Sequence, residues 1–126
     1  MIKELKSLFS EGKIIDKKKY FEIIVNKENI FHTIKNLKEN QNLIFNQLID
    51  ITAVDYPSNS LRFEIIYILL SMALNKRVIV KTFLGDSEGI ESITTIHKSA
   101  DWYERECYDL FGIQFLNHPD LRRIMT

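Results

Sequence analysis

The clearest strand pattern in this sequence is Leu61-Arg-Phe-Glu-Ile-Ile-Tyr-Ile-Leu-Leu-Ser-Met-Ala-Leu-Asn-Lys-Arg-Val-Ile-Val-Lys-Thr-Phe-Leu84. Its first residues alternate between apolar and polar side chains, which is typical of a half-buried strand, and the sequence then becomes continuously apolar. Residues 75–77 predict a turn, and residues 78–84 are rich in β-branched side chains. Because the connection is so short, the two strands at 61–72 and 78–84 are predicted to pair antiparallel.

The strand pattern continues towards the N-terminus from this hairpin. Residues 43–55 are rich in Ile, Phe, Thr and Val, and a turn at 56–60 links them to the hairpin. We therefore expect three successive strands that form an antiparallel meander. The earlier predicted elements are a helix at 2–9 that Gly12 ends, strands at 13–16 and 20–25, and a helix at 26–39 with Asn26 as its N-cap.

The C-terminal part is predicted to be helical and then extended. A loop at 85–89 precedes helical turns at 90–96 and a helix at 99–111, which Gly112 ends. The order α-β-β-α-β-β-β-α-α predicts an α+β fold, with helices packed on a mostly antiparallel or mixed sheet. We expect a single α+β domain over residues 1–112 and an extended C-terminal partner-docking tail over residues 113–126.

Composition and charge restrict the possible functions. The chain has 126 residues, enough for one domain, and its 17 basic and 17 acidic residues cancel, which gives no reason to expect nucleic-acid binding. The only cysteine, Cys107, excludes an intramolecular disulfide and a cysteine-ligated zinc or iron–sulfur site in this chain. The apolar run Ile65–Leu74 is too short to span a bilayer. Since the N-terminus does not look like a signal peptide, we expect an intracellular protein.

The predicted helix at 99–111 has the highest density of aromatic and charged residues. At about 100° per residue, one broad apolar face forms, and Glu106 falls inside it, where an unpaired carboxylate would be costly to bury. Glu104 and Glu106 point to different sides of the helix and cannot share one small substrate. A structural or docking role is therefore favoured over acid–base catalysis or a metal site. The predicted apolar face consists of Trp102, Tyr103, Cys107, Leu110 and Phe111.

Three arginines near the C-terminus are expected to form ion pairs within the domain or with a partner rather than to take part in catalysis. Arg105 lies four residues from both Asp101 and Asp109, a spacing that permits ion pairs on the helix. Arg122 and Arg123 stand among apolar side chains in the tail. The tail is interpreted either as a frayed terminus or as an arm whose arginines bind carboxylates of a partner.

The histidines and the cysteine predict structural roles. His32 falls opposite the apolar stripe of its helix and is expected to be solvated, and His97 lies in the junction before the next helix. His118 precedes a proline, so a hydrogen bond that stabilises a turn is favoured over metal ligation. Cys107 is expected to be packed and unreactive.

Two blocks of this sequence resemble one family. They are Trp102-Tyr-Glu-Arg-Glu-Cys-Tyr-Asp-Leu-Phe-Gly-Ile113, followed by Phe115 and His118-Pro-Asp-Leu-Arg-Arg-Ile124, and Leu48-Ile-Asp-Ile-Thr-Ala-Val-Asp-Tyr-Pro57, followed by Arg62-Phe63 and Tyr67-Ile-Leu-Leu-Ser71. Together they resemble the signature of the thirty-kilodalton subunit family of NADH-quinone oxidoreductase, which is respiratory complex I. The resemblance covers residues 48–124 and assigns the signature and partner interface to Trp102, Glu104, Arg105, Glu106, Asp109, Gly112, His118, Pro119, Asp120, Arg122 and Arg123.

The resemblance implies a scaffold subunit in the peripheral arm of a proton-translocating NADH:quinone oxidoreductase. Such a scaffold holds no flavin, iron–sulfur cluster or quinone of its own, because FMN and the clusters belong to partner subunits. Its chief partner would be the hydrogenase-like subunit of the same complex. The resemblance places it peripherally on the cytoplasmic side of a bacterial inner membrane, or on the matrix side in a mitochondrion. In the family a further extended arm follows the Arg-Arg-Ile segment, whereas this chain stops at Thr126.

Three alternatives remain open on the sequence. The same domain resembles a component of membrane-bound [NiFe] hydrogenases. A stand-alone enzyme would need Glu106, His97 and His118 to converge in one pocket. A small ligand-binding α+β domain predicts a concave pocket, whereas a subunit of a complex predicts exposed aromatic side chains.

Overall fold

The computed structural model describes residues 13–16 and 20–119, so the predicted helix at 2–9 lies outside the described residues. The strands of the described part are β1 (Lys13–Asp16), β2 (Tyr20–Ile24), β3 (Gln47–Asp55), β4 (Phe63–Ser71), β5 (Lys76–Leu84), β6 (Gly89–Glu91) and β7 (Gln114–Leu116). The helices are α1 (Ile30–Glu39), which follows a 3₁₀ turn at Lys27–Asn29, and α2 (Ala100–Phe111). The α+β fold class is therefore confirmed.

A five-stranded mixed sheet forms the body of the domain. Its strand order is β1-β2-β5-β4-β3, and β3, β4 and β5 form the predicted antiparallel meander. The N-terminal hairpin of β1 and β2 joins this meander through β2, which pairs parallel with β5. This arrangement leaves β3 and β1 as the edge strands of the sheet.

The core lies on one face of this sheet. Along β4, every second residue from Phe63 to Ser71 is buried, and the intervening residues are half-buried. Helix α1 packs its apolar stripe into the same core, where Ile30, Ile34 and Leu37 are fully buried. The β4 sequence that looked apolar on both sides therefore keeps its alternation, because only one face is fully covered.

The prediction of helical turns at 90–96 was wrong. Residues 89–91 form β6, and the following residues close a single turn in which the Ile96 and His97 N–H groups donate to the Ile93 carbonyl. The spacing of Ile90, Ile93 and Ile96 imitates a helical period. However, this segment is rich in β-branched residues, which favour extended backbone.

The domain boundary after Gly112 also needs correction. Gly112 ends α2 as predicted, in the left-handed conformation with φ of 73°. The chain then forms β7, which pairs parallel with β6, and Ile113 and Phe115 are buried in the core. Residues 113–119 therefore belong to the folded domain, because leaving these apolar side chains in water would be costly. Residues 120–126 lie outside the described part.

Candidate functional site

Helix α2 carries most of the predicted site and packs on the two strands that carry the other sequence block. The Cys107 thiol lies 3.7 Å from the Ile51 carbonyl oxygen of β3, within hydrogen-bond range for sulfur. The Phe111 ring meets the Phe63 ring of β4 edge-on, with 6.2 Å between the centroids. The helix is thus fixed on β3 and β4 by its C-terminal half.

The buried face of α2 differs from the predicted one. Cys107 is buried and Tyr103 and Phe111 are partly buried, as expected, but Trp102 is 54% exposed and Leu110 is 65% exposed. Glu104 takes a central position on the buried face, with no exposed surface, whereas Glu106 is half-buried. The sequence periodicity placed the apolar residues on one side of the helix, but it did not predict which side faces the sheet. The reason is that a charged residue, Glu104, occupies the middle of the inner face.

Glu104 is stabilised in the interior by two donors from the segment after β6. The Ser92 hydroxyl donates to Glu104 Oε1 at 2.6 Å, and the Ile93 N–H donates to Oε2 at 2.8 Å. Burial raises the pKa of Glu104 from its ordinary value of 4.5 to about 7, although both hydrogen bonds oppose this change. Nearby Asp101 and Glu91 add to the increase. Sequence reasoning missed Ser92 and Ile93, because they lie in a segment predicted to be helical.

His118 attaches the end of the described chain to the start of α2. Its side chain is fully buried. The ring Nε2 lies 3.3 Å from the Asp101 carbonyl oxygen, which can only accept, so Nε2 carries the hydrogen. The same nitrogen lies 3.0 Å from Asp101 Oδ1 and 3.9 Å from Glu104 Oε1. The predicted structural role of His118 therefore agrees with its geometry, and the following Pro119 is exposed.

The outer face of α2 presents an aromatic and an aliphatic side chain to solvent. Trp102 and Leu110 lie two turns apart, and the guanidinium carbon of Arg105 sits 5.8 Å from the centroid of the Trp102 ring. Half-buried Glu106 and Asp109 border this surface. We call Trp102 and Leu110, with Arg105, the outer face of α2.

Arg105 was predicted to pair with Asp101 or Asp109, or to bond backbone carbonyls. Within residues 13–16 and 20–119, the structure records no such ion pair for Arg105, and its buried Nε has no hydrogen-bond partner there. Its contact with the Trp102 ring at i−3 is a cation–π interaction instead. The remaining predicted interface residues, Asp120, Arg122 and Arg123, lie outside the described part.

In the second sequence block, an ion pair joins the two strands of the hairpin formed by β3 and β4. The Arg62 Nε and Nη2 groups donate to the two carboxylate oxygens of Asp55 at 2.7 and 2.9 Å. This bidentate pair lowers the pKa of Asp55 and raises that of Arg62. The Arg62 guanidinium also lies 5.1 Å from the centroid of the Phe63 ring. The pair therefore ties the end of β3 to the start of β4, next to the strand on which α2 packs.

A stand-alone enzyme would need Glu106, His97 and His118 to converge in one pocket, but these residues have different neighbours. His118 contacts Asp101 and Glu104, whereas His97 lies in the turn before α2, where burial and then the charge of Lys38 lower its pKa to about 4. The negative charge of Glu106 helps to raise the pKa of Cys107. Among the described residues, no group of three or more His, Cys, Asp or Glu side chains is arranged to hold a metal ion. No helix in the same part is both long and apolar enough to cross a membrane.

Known proteins resemble both the sequence and the fold. NADH-ubiquinone oxidoreductase subunit 9 of Reclinomonas americana is 42% identical over 121 residues, which are 96% of this chain and 56% of that protein. An NADH-quinone oxidoreductase subunit from Ruegeria pomeroyi is 44% identical over 98 residues, which are 78% of this chain and 49% of that protein. The chain thus spans about half the length of these two curated relatives.

Two solved structures share the fold. A trypsin-resistant fragment (1–134) of Nqo5 superposes with a TM-score of 0.79 at 26% identity, covering 95% of this chain and 98% of the fragment. A chain of the membrane-bound sulfane sulfur reductase, an archaeal respiratory membrane complex, superposes with a TM-score of 0.86 at 23% identity, covering 99% of this chain and 74% of that one.

The match to a family profile covers both sequence blocks and most of the sheet. Residues 23–126 match the profile described as the respiratory-chain NADH dehydrogenase, 30 Kd subunit. This range begins within β2 and includes α1, the meander, α2 and β7. The chain therefore belongs to the 30 kDa subunit family of respiratory-chain NADH dehydrogenases.

Proposed function

We propose that the chain is a scaffold subunit in the peripheral arm of a proton-translocating NADH:quinone oxidoreductase. The observation that carries this proposal is the difference between the two faces of α2. Its inner face is used to hold the domain together through Glu104 and Cys107, whereas its outer face exposes Trp102 and Leu110 to solvent. Exposed aromatic and aliphatic side chains next to an arginine are typical of protein interfaces.

This chain would help to assemble the complex, and its partner subunits would carry out electron transfer. FMN and the iron–sulfur clusters would lie in other subunits, and the assembled complex would act as a translocase that couples NADH oxidation by quinone to proton transport. The relatives named as NADH-ubiquinone and NADH-quinone oxidoreductase subunits support this role. We further propose the hydrogenase-like subunit of the complex as the principal partner, with Arg122 and Arg123 contributing contacts, and a peripheral position on the cytoplasmic or matrix side of the membrane.

Substitutions on the outer face of α2 test this proposal. The variant Trp102→Ser/Leu110→Ser should fold normally, because both side chains are largely exposed, but it should fail to co-purify with the hydrogenase-like subunit and the rest of the peripheral arm. A matched control is Leu61→Ser/Met72→Ser, which removes two side chains that are 50% and 67% exposed at the ends of β4. The measurement is co-expression, affinity purification and identification of the partners that remain bound.

The result expected is loss of partners for the α2 variant and retention for the control. Equal retention by both variants would exclude the outer face of α2 from assembly. The purified chain is also expected to be colourless and free of stoichiometric iron and flavin, and a bound cluster or flavin would contradict the scaffold role.

A further inference from the structure

A groove separate from the outer face of α2 lies at one end of the sheet. It has a volume of about 570 Å³ and is formed by the end of α1, the start of edge strand β3 and the turn that precedes α2. Its apolar lining consists of Leu48, Ile49 and Ile96, and its lining contains two lysines, Lys38 and Lys98, and no carboxylate. Such a surface favours a ligand that combines apolar side chains with negative charge.

Lys38 brings a positive charge to this groove in a fixed position. Its Nζ donates to the Ile96 carbonyl at 2.5 Å, so the ammonium group is anchored across the groove between α1 and the turn before α2. An ammonium group has three donors, and this bond uses one of them. Neither Lys38 nor Lys98 has a carboxylate within ion-pair distance among the described residues. Both charges are therefore available to an anionic partner.

His97 adds a buried polar atom without a partner. The residue is only 6% exposed and lines the groove, and its Nε2 has no hydrogen-bond partner within the described residues. Burial and the neighbouring Lys38 lower the pKa of His97 to about 4, so the ring is neutral at pH 7 and carries one N–H donor. Because Nε2 has almost no exposed surface, the ring forms part of the groove wall, and a ligand bound against that wall would change its surroundings.

We propose that this groove binds an extended acidic peptide segment of a partner protein, whose carboxylates meet Lys38 and Lys98 beside His97. The volume exceeds what one carboxylate or phosphate needs, and the apolar lining offers contacts to the side chains that alternate with the acidic ones. This interaction is independent of the outer face of α2, so its test does not depend on the proposed assembly.

The test uses the complete chain and a defined probe. The probe is a blocked, fluorescently labelled hexapeptide of alternating glutamate and valine, and its control has glutamine in place of glutamate. Binding is measured by fluorescence anisotropy at pH 7 and low salt. The variant Lys38→Gln/Lys98→Gln should weaken binding at least about tenfold. The matched control Lys35→Gln/Lys76→Gln removes the same charge from two exposed positions outside the groove lining and should change binding less than about twofold.

Two further measurements keep the result interpretable. Thermal melts verify that each variant folds, and the ring signals of His97 in the unmodified chain should shift when the acidic peptide is added. Equal affinity for the glutamine peptide, equal loss in both double variants, or unchanged His97 signals would overturn the proposal. Binding to phosphatidylglycerol vesicles but not to the peptide would also overturn it and assign the groove to lipid headgroups.

Discussion

Replacing Glu104 should reveal how a carboxylate buried under α2 stabilises the domain. In Glu104→Ala, the buried Ile93 N–H loses its acceptor, and an unsatisfied buried donor costs about 1–3 kcal/mol. The deleted methylene and carboxyl leave a small void, which adds about 1 kcal/mol. At pH 5, where the carboxyl keeps its proton in the folded chain, we therefore expect the free energy of unfolding to fall by about 2–4 kcal/mol, and the melting temperature to fall by roughly 10 °C for a domain of this size.

The variant Glu104→Gln separates the loss of hydrogen bonds from the loss of charge. Its amide oxygen can accept from the Ile93 N–H, and its amide nitrogen can donate to the Ser92 hydroxyl. That hydroxyl lies 2.9 Å from Thr94 Oγ1, which can accept its proton in turn. The glutamine therefore reproduces the protonated form of Glu104, and at pH 7 we expect it to be at least as stable as the unmodified chain.

The two forms should differ in their dependence on pH. Because the pKa of Glu104 is about 7 in the folded chain and 4.5 is its ordinary value, the folded chain retains a proton that the unfolded chain has released between these limits. The free energy of unfolding therefore falls as pH rises from about 4.5 to about 7 and changes no further above that, by about 3 kcal/mol in total for this one group. Glu104→Gln lacks this contribution.

Urea unfolding at pH 5, 6, 7 and 8 measures the difference between the two proteins. Relative to Glu104→Gln, the unmodified chain should lose about 2–3 kcal/mol between pH 5 and pH 8. A difference that stays constant over this range would mean that Glu104 is ionised when folded. If glutamine were as destabilising as alanine, the hydrogen-bond argument would also be wrong.

Two other predictions concern α2. Gly112→Ala should lower the free energy of unfolding by about 1 kcal/mol, because φ is 73° and a Cβ there meets no atom within 4 Å, so the cost is backbone strain alone. Gly112→Asn should cost less in the same thermal melts, and an alanine variant as stable as glycine would contradict this. Burial, together with the negative charges of Glu106, Asp50 and Glu104, raises the pKa of Cys107 to about 12. Thiol labelling of the folded chain at pH 8 should therefore be at least about a hundredfold slower than in urea, and rapid labelling of the native chain would refute that reasoning.

Local sequence patterns predicted the antiparallel meander. They did not predict the parallel strand pairs that join distant parts of the chain. The meander followed from alternation and short turns, because each of its strands pairs with the next one along the chain. The parallel pairing of β2 with β5 has no local signal, since the paired residues, such as Tyr20 and Arg77, are far apart in sequence. The strand β6 was mistaken for a helical turn, because its partner β7 lies beyond α2.

The site illustrates a different limit of sequence reasoning. A helical wheel assumes that the apolar residues define the buried face, and this assumption directed attention to Glu106. The structure turns α2 so that Glu104 faces inwards, because Ser92 and the Ile93 backbone supply its hydrogen bonds. Those donors belong to the segment after β6, whose extended course periodicity did not reveal. The exposed side chain of Trp102, in contrast, fits the exposed aromatic residues expected of a subunit of a complex, and its docking role stays a prediction.

The parallel pairing in the middle of the sheet has a consequence for the order of folding. The strands β3, β4 and β5 can form by closing short loops, whereas β2 reaches β5 only after the whole meander has been synthesised. Closing that larger loop carries a greater entropic cost, which slows folding. During synthesis, β2 must therefore wait with its apolar residues Phe21 and Ile23 uncovered until β5 has emerged from the ribosome, and a chaperone bound in that interval would protect the nascent chain from aggregation.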